Sequence, residues 1–111
     1  MAITNTKEID SIGIEKKTGK VDLILKDDLD WSNKEEHFLL LEGKLNVYIH
    51  FIESGQIFTA YPLSKNKSIK ITIYSKYQYP EIALDFIKHV SSKIDGLGIE
   101  LDYKFLDVER H

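Results

Sequence analysis

From Ser68 to Lys76 the chain reads Ser-Ile-Lys-Ile-Thr-Ile-Tyr-Ser-Lys, three isoleucines alternating with polar residues. A period of two suits a strand with one buried face, because successive side chains point to opposite sides of the sheet. The pattern predicts Ile69, Ile71 and Ile73 toward a core and Lys70, Thr72 and Tyr74 away from it. The rest of the chain must therefore supply apolar surface to cover those three side chains.

Two segments with a helical period offer that cover. Phe38, Leu41, Leu45, Tyr48 and Ile52 follow in steps of three and four, flanked by Leu40 and Ile49, as one face of a long amphipathic helix does. Ser32 and Glu35 have capping-box spacing and predict its start. Glu35 and Glu36 fall in the first turn, where the helix dipole favours negative charge. Gly43 weakens the interior, and Gly55 is the natural stop. A second helix opens with Pro80 at its first position, buries Ala83, Phe86, Ile87, Val90 and Ile94, and ends at Gly96. Residues 56–67 between the first helix and the isoleucine strand read as a loop.

Residues 9–15 and 20–26 look like strands joined by Lys16-Lys17-Thr18-Gly19, a hairpin signal. Val21, Leu23 and Leu25 face one way; Asp22, Ile24 and Lys26 face the other. At the end of the chain Ile99, Leu101, Tyr103 and Phe105 alternate with Glu100, Asp102, Lys104 and Leu106. The order ββαβαβ predicts an α+β two-layer sandwich: a four-stranded mixed sheet, two helices on one face and water on the other. The hairpin is antiparallel, and a right-handed crossover makes strands two and three parallel. The pattern does not fix the strand order beyond the hairpin. The 111 residues are one domain's worth, expected over 9–107, with a flexible N-terminus at 1–8 and a tail at 108–111.

Composition removes several function classes. Without cysteine there is no disulfide, thiolate metal site or thiol catalysis. The first eight residues lack the apolar core of a secretory signal. No apolar run approaches the roughly 20 residues that span a bilayer, so a cytoplasmic location without a membrane partner is expected. Net charge is −3, and Arg110 is the single arginine among 15 basic residues. Arginine is the residue that grips bases and phosphates bidentately, so nucleic acid is not expected as a partner.

Candidate chemistry is sparse. Asp27, Asp28 and Asp30 lie beside Glu35 and Glu36, but the glycine and closing glutamate of a calcium loop are missing. They read as a solvated turn before a helix. His50 and Glu53 are three apart, the reverse of the Glu-x-x-His order in di-iron bundles, and read as a surface pair. His37 can serve as a general base near neutral pH, but no serine or threonine stands at a telling spacing. His89 suits a helix C-terminus, and His111 ends the chain. Gly96-Leu97-Gly98 follows a helix, whereas a phosphate cradle precedes one. No catalytic residue, metal site or cofactor is expected, and the chain is not expected to be an enzyme.

Two surfaces remain. The open sheet face carries Ile24, Lys70, Thr72, Tyr74, Lys76, Glu100, Asp102, Lys104 and Leu106. It suits a protein or dimer contact, although cross-strand salt pairs look the same in sequence. Lys65, Lys67, Lys70 and Lys76 form a basic pole opposite the acidic 27–36 stretch. The second surface is the sheet end, with Asp28, Asp30, Trp31, Tyr77 and Tyr79 near both helix N-termini. Those aromatics can anchor a ligand, or Trp31 can staple the helix start to the core. The leading expectation is a non-catalytic protein-interaction domain, immunity- or adaptor-like, with an unknown protein partner, as a monomer or homodimer. The alternative is a small-molecule or ion-binding domain at the sheet end. A hydrolase built around His37 ranks last.

Several strings also resemble a known family. They are Ile12-Gly13-Ile14, Lys17-Thr18-Gly19-Lys20-Val21, Asp28-Leu29-Asp30-Trp31, Glu36-His37-Phe38-Leu39-Leu40-Leu41, Lys44-Leu45-Asn46-Val47-Tyr48, Phe51-Ile52-Glu53-Ser54-Gly55 and Tyr61-Pro62. The chain resembles a family of small bacterial proteins, a domain of unknown function of the DUF6572 type. The likeness runs from about Ile9 to the final strand, and its most specific strings are Leu-Asp-Trp and Phe-Ile-Glu-Ser-Gly. It departs at Glu42-Gly43, where the family commonly has glutamine. The resemblance implies a bacterial origin and a shared fold, and it brings no activity with it.

Overall fold

The isoleucines of the alternating segment sit level with apolar residues on both neighbouring strands. In the computed structural model, which describes residues 8–106, strand β2 (Val21–Asp27) runs parallel to β3 (Ile69–Ser75). Val21 pairs with Ile69, Leu23 with Ile71 and Leu25 with Ile73. Strand β4 (Ile99–Phe105) is parallel to β3 and sets Leu101 beside Ile71. Strand β1 (Ser11–Ile14) pairs antiparallel with β2. The order across the sheet is β1-β2-β3-β4, which supplies what the sequence pattern left open. Each crossover advances one strand in the same direction. Two such crossovers of the same hand leave their helices on one face.

Those helices are α1 (Lys34–Glu53) and α3 (Glu81–Asp95). Leu41, Leu45, Tyr48 and Ile52 of α1 and Ala83, Ile87 and Ile94 of α3 are buried with Val21, Leu23, Leu25, Ile71 and Ile73. Each fully buried leucine or isoleucine contributes about 1.5–3 kcal/mol by leaving water, so this layer is the main source of stability. Phe38, Phe86 and Val90 pack partly buried against it.

Three local expectations change. Helix α1 is capped by Asn33: its Oδ1 accepts from Glu36 N–H at 3.2 Å, and its Nδ2 donates back to Glu36 at 3.3 Å. The cap has the same spacing one residue later, with Glu36 bonded to the Asn33 side-chain amide, because the Ser32 hydroxyl donates to Asp30 at 2.7 Å. Pro80 is the N-cap of α3, so the helix begins at Glu81. The stretch read as a loop contains a short helix, α2 (Gln56–Ala60), and a 3₁₀ turn at Pro62–Ser64. Gly55, at φ +82°, reverses the chain so that Ile57 reaches the core.

The hairpin closes with a bulge. Glu15 N–H donates to Lys20 O, Gly19 N–H donates to Glu15 O, and Gly19 sits at φ +74°. At its other end Tyr48 of α1 stitches the hairpin to the helix layer. The Tyr48 hydroxyl donates to Ile24 O at 2.5 Å and accepts from Asp10 N–H at 2.9 Å. Asp10 in turn accepts from Lys26 N–H and from Lys44, whose side chain is wholly buried. A carboxylate and a phenol thus replace strand hydrogen bonds where β1 runs out.

Candidate functional site

Residue pairing brings the ends of β2 and β3 level, with Asp27 opposite Ser75. Around Asp27 the chain gathers a buried polar cluster. His37 Nδ1 lies 3.0 Å from Asp30 O, a carbonyl that can only accept, so that nitrogen carries a proton. Its Nε2 lies 2.6 Å from Asp27 Oδ2, and neither side chain reaches solvent. The same carboxylate oxygen accepts from the Tyr79 hydroxyl, and Asp27 Oδ1 accepts from Leu29 N–H at 3.2 Å. Burial, then the Asp27 charge, pushes the Tyr79 hydroxyl far above its ordinary 10.0. It stays protonated and can only donate to Asp27.

Trp31 closes this cluster. Its ring stacks on His37 at 3.7 Å and 16°, and meets Phe38 and Tyr79 edge-on at 5.5 and 5.2 Å. Its Nε1 is buried without a hydrogen-bond partner among the described residues. Ser75 lies level with Asp27, but its hydroxyl donates to the Tyr103 hydroxyl, which also accepts from Tyr79 N–H. The serine, histidine and aspartate therefore do not form a nucleophile–base relay. With both ring nitrogens engaged and no exposure, His37 has no route to a substrate. The cluster fastens β2, α1 and the start of α3 together.

The sheet-end residues thus divide into two sets. Trp31 and Tyr79 are turned inward, packed on each other and on His37. Asp28, Asp30 and Tyr77 stay at the surface. Asp30 accepts from both the hydroxyl and the N–H of Ser32, and those bonds hold its carboxyl below the ordinary aspartate value. Tyr77 is 40% exposed, with the Lys76 ammonium 5.6 Å from its ring.

On the opposite sheet face three rows of side chains cross the strands. The first is Asp22, Lys70 and Glu100; the second is Ile24, Thr72 and Asp102; the third is Lys26, Tyr74 and Lys104. The first two rows satisfy themselves. Lys70 donates to Glu15 at 3.1 Å, Lys20 pairs with Glu100 at 2.7 Å, and Thr72 donates to Asp22 at 2.7 Å. Burial pulls the Lys70 ammonium down, but Glu15, Asp22 and Asp102 outweigh it and hold the group above its ordinary value. Asp102 accepts from Tyr103 N–H at 2.9 Å, tying up an edge donor of β4. Lys70 and Thr72 face away from the helices as expected, yet they are only 6% and 0% exposed. They are interior members of a cross-strand network, and they offer little to a partner.

The third row differs. Lys26, Lys76 and Lys104 make no ion pair among the described residues. Lys104 sits 5.9 Å from the Tyr74 ring. Beside this row is a groove of about 430 Å³ lined by Ile24, Lys26, Asp27, Asp28, Tyr74, Lys76 and Leu106. Leu106, at 43% exposure, forms its apolar wall. Lys26 was missed as a surface candidate, although the Asp22, Ile24, Lys26 alternation already put it on this face.

The remaining histidine positions are peripheral. His50 lines another depression, about 690 Å³, with Ile9, Asn46, Val47 and Phe51, and Glu53 is exposed. His89 is exposed on α3, and His111 lies outside the described residues. Among the described residues no group of three His, Cys, Asp or Glu side chains stands together to hold a metal ion. No helix among them is long and apolar enough to cross a membrane.

No curated protein and no solved structure matches the chain. A family model does, over residues 1–107, nearly the whole length. Its match spans both the Asp27–His37–Tyr79 cluster and the lysine-rimmed groove, and by it the chain belongs to the family of unknown function DUF6572.

Proposed function

We propose that the protein is a non-catalytic interaction domain of the bacterial cytoplasm, immunity- or adaptor-like, that binds a partner protein through the β2–β3 end of its open sheet face. The observation that carries this reading is the contrast along that face. The polar groups of the first two rows are paired within the chain, while the groove beside the third presents Tyr74, Ile24 and Leu106 between Lys26 and Lys76, which have no carboxylate partner among the described residues. Interfaces favour such apolar and aromatic centres with a polar rim. The buried histidine cluster supports the same reading, because its reactive groups are consumed by packing. The test is capture from native cells with the parent chain and with the pair Tyr74→Ser, Leu106→Ser. Leu106 is exposed and Tyr74 half-buried on the open face, outside the core layer, so urea unfolding of the pair beside the parent confirms that the variant is folded. A partner held by the parent and lost by the pair supports the reading; equal capture by both refutes it.

A second reading keeps a small-molecule or ion site at the sheet end. It is favoured by one observation, the enclosed Trp31 Nε1 without an acceptor, beside the exposed Asp28, Asp30 and Tyr77. A thermal-shift screen with metal ions and metabolites tests it through the stabilisation that any ligand of the native state must give.

A further inference from the structure

The ion pairs of this molecule are unevenly distributed. Lys20, Lys44 and Lys70 are matched by Glu100, Asp10 and Glu15. Lys26 and Lys104 flank Tyr74 directly across three strands, and Lys76, two residues beyond Tyr74, lines the groove with Tyr74 and Lys26. None of these three has a carboxylate within ion-pair distance among the described residues. Lys104 acts electrostatically on Glu15 and Asp22, but the acids that line the groove beside Lys26 and Lys76 do not compensate them. Asp27 is buried and committed to His37 and Tyr79, which leaves Asp28 as the one exposed carboxylate lining the groove. Like charges crowded around an apolar floor repel one another until an opposite charge arrives.

We infer that this groove takes an acidic, apolar stretch of a partner protein, with apolar side chains on Ile24, Tyr74 and Leu106 and carboxylates at Lys26 and Lys76, the two lysines that line it. The inference rests on the interaction reading above and adds the chemistry of the partner. A volume of about 430 Å³ accommodates a few side chains, so the groove reads a short segment. The lysines supply the selection. A basic segment meets two ammonium groups without ion-pair partners and is rejected, because specificity comes as much from repulsion as from attraction. The polar, paired remainder of the sheet face marks where the contact ends.

The experiment is selection of a random displayed peptide library on the full-length protein, followed by affinity measurements on the selected peptides. The expected result is enrichment of Asp and Glu interleaved with large apolar residues. Binding should weaken about tenfold or more in Lys26→Glu, Lys76→Glu, the scale of two exposed ion pairs turned to repulsion. It should weaken as salt rises, and it should be unchanged in Lys88→Glu, on the exposed side of α3. Selection without acidic bias, binding indifferent to the lysine reversals, or no selected peptide at all overturns the inference. So does selection that appears only when the chain is ended at Leu106, which assigns the groove to Asp107 and Glu109 of the chain itself. Failure of the two ideas is separable in native capture. A partner lost by Tyr74→Ser, Leu106→Ser but retained by the lysine reversals removes the acidic chemistry and keeps the interaction. A partner indifferent to both sets removes both.

Discussion

His37 Nε2 and Asp27 Oδ2 lie 2.6 Å apart, with both side chains wholly withdrawn from solvent. Asp27 ends β2 and His37 lies in the first turn of α1, so the pair fixes where the strand hands over to the helix. Breaking such a pair leaves a buried group without its partner. His37→Ala is expected to destabilise the fold by about 3–5 kcal/mol, read from urea unfolding. Tyr79→Phe removes one donor from the same carboxylate and should cost about 1–3 kcal/mol. If His37→Ala unfolds at the parent's urea midpoint, the cluster is not structural.

The Tyr48 hydroxyl joins Asp10 N–H to Ile24 O, so Tyr48→Phe should loosen the start of β1 while leaving the core apolar contacts in place. The expected cost is about 1–3 kcal/mol, from two backbone groups losing their partner. Hydrogen exchange should quicken at Asp10 and Lys26 and stay unchanged in β3. Uniform quickening across the sheet would show that the phenol acts on the whole fold.

These two networks mark where sequence reading stops. The alternation at 69–73 and the helical stripes were legible because burial repeats with the backbone period. His37 and Lys44 also fit the α1 stripe by spacing, four before Leu41 and four before Tyr48. Neither is placed in that stripe from the sequence, because a polar residue at an apolar spacing carries no sign of its own that it is buried. Their burial depends on Asp27 and Asp10, and the second lies 34 residues away from Lys44; no local pattern encodes that meeting. The α1 cap slipped by one residue because Ser32–Glu35 and Asn33–Glu36 both satisfy the same spacing rule. Ile57 falls in a stretch that reads as a loop, because one buried side chain has no period. On the open face the residue types were legible, but pairing was not. Only the register separates the committed Lys70 from the unpaired Lys26.

Asp22 carries a pH signature. Burial is the main influence on its carboxyl and holds it above its ordinary 3.8, despite the hydrogen bond from Thr72 and the nearby Lys70. A carboxyl with a raised folded-state value opposes folding while ionised, and that penalty is relieved as pH falls through the raised value. Asp22→Asn keeps the acceptor for Thr72 and removes the charge. It should raise the thermal midpoint at neutral pH, with the advantage shrinking in acid as the parent's Asp22 takes up a proton. A midpoint lowered at neutral pH would contradict this.

Glu15 behaves in the opposite sense. The hydrogen bond from Thr18, then that from Lys70, holds its carboxyl below the ordinary 4.5. Its contribution is present above that ordinary value and is lost as pH falls through the lowered one. Glu15→Gln should therefore flatten the acid limb of the stability profile measured by thermal unfolding. An unchanged acid limb would show that the Glu15–Lys70 contact does not contribute.

Contact with a partner is assigned to the lysine-rimmed end of the sheet face, and the histidine cluster to the interior. Hydroxyl-radical footprinting of the protein, alone and bound to its captured partner, tests this directly. Oxidation of Tyr74 and Leu106 should fall on binding, while Phe58, Leu39 and Ile82, exposed elsewhere, should keep their rates. Protection at those three residues, with Tyr74 and Leu106 unchanged, would contradict the account.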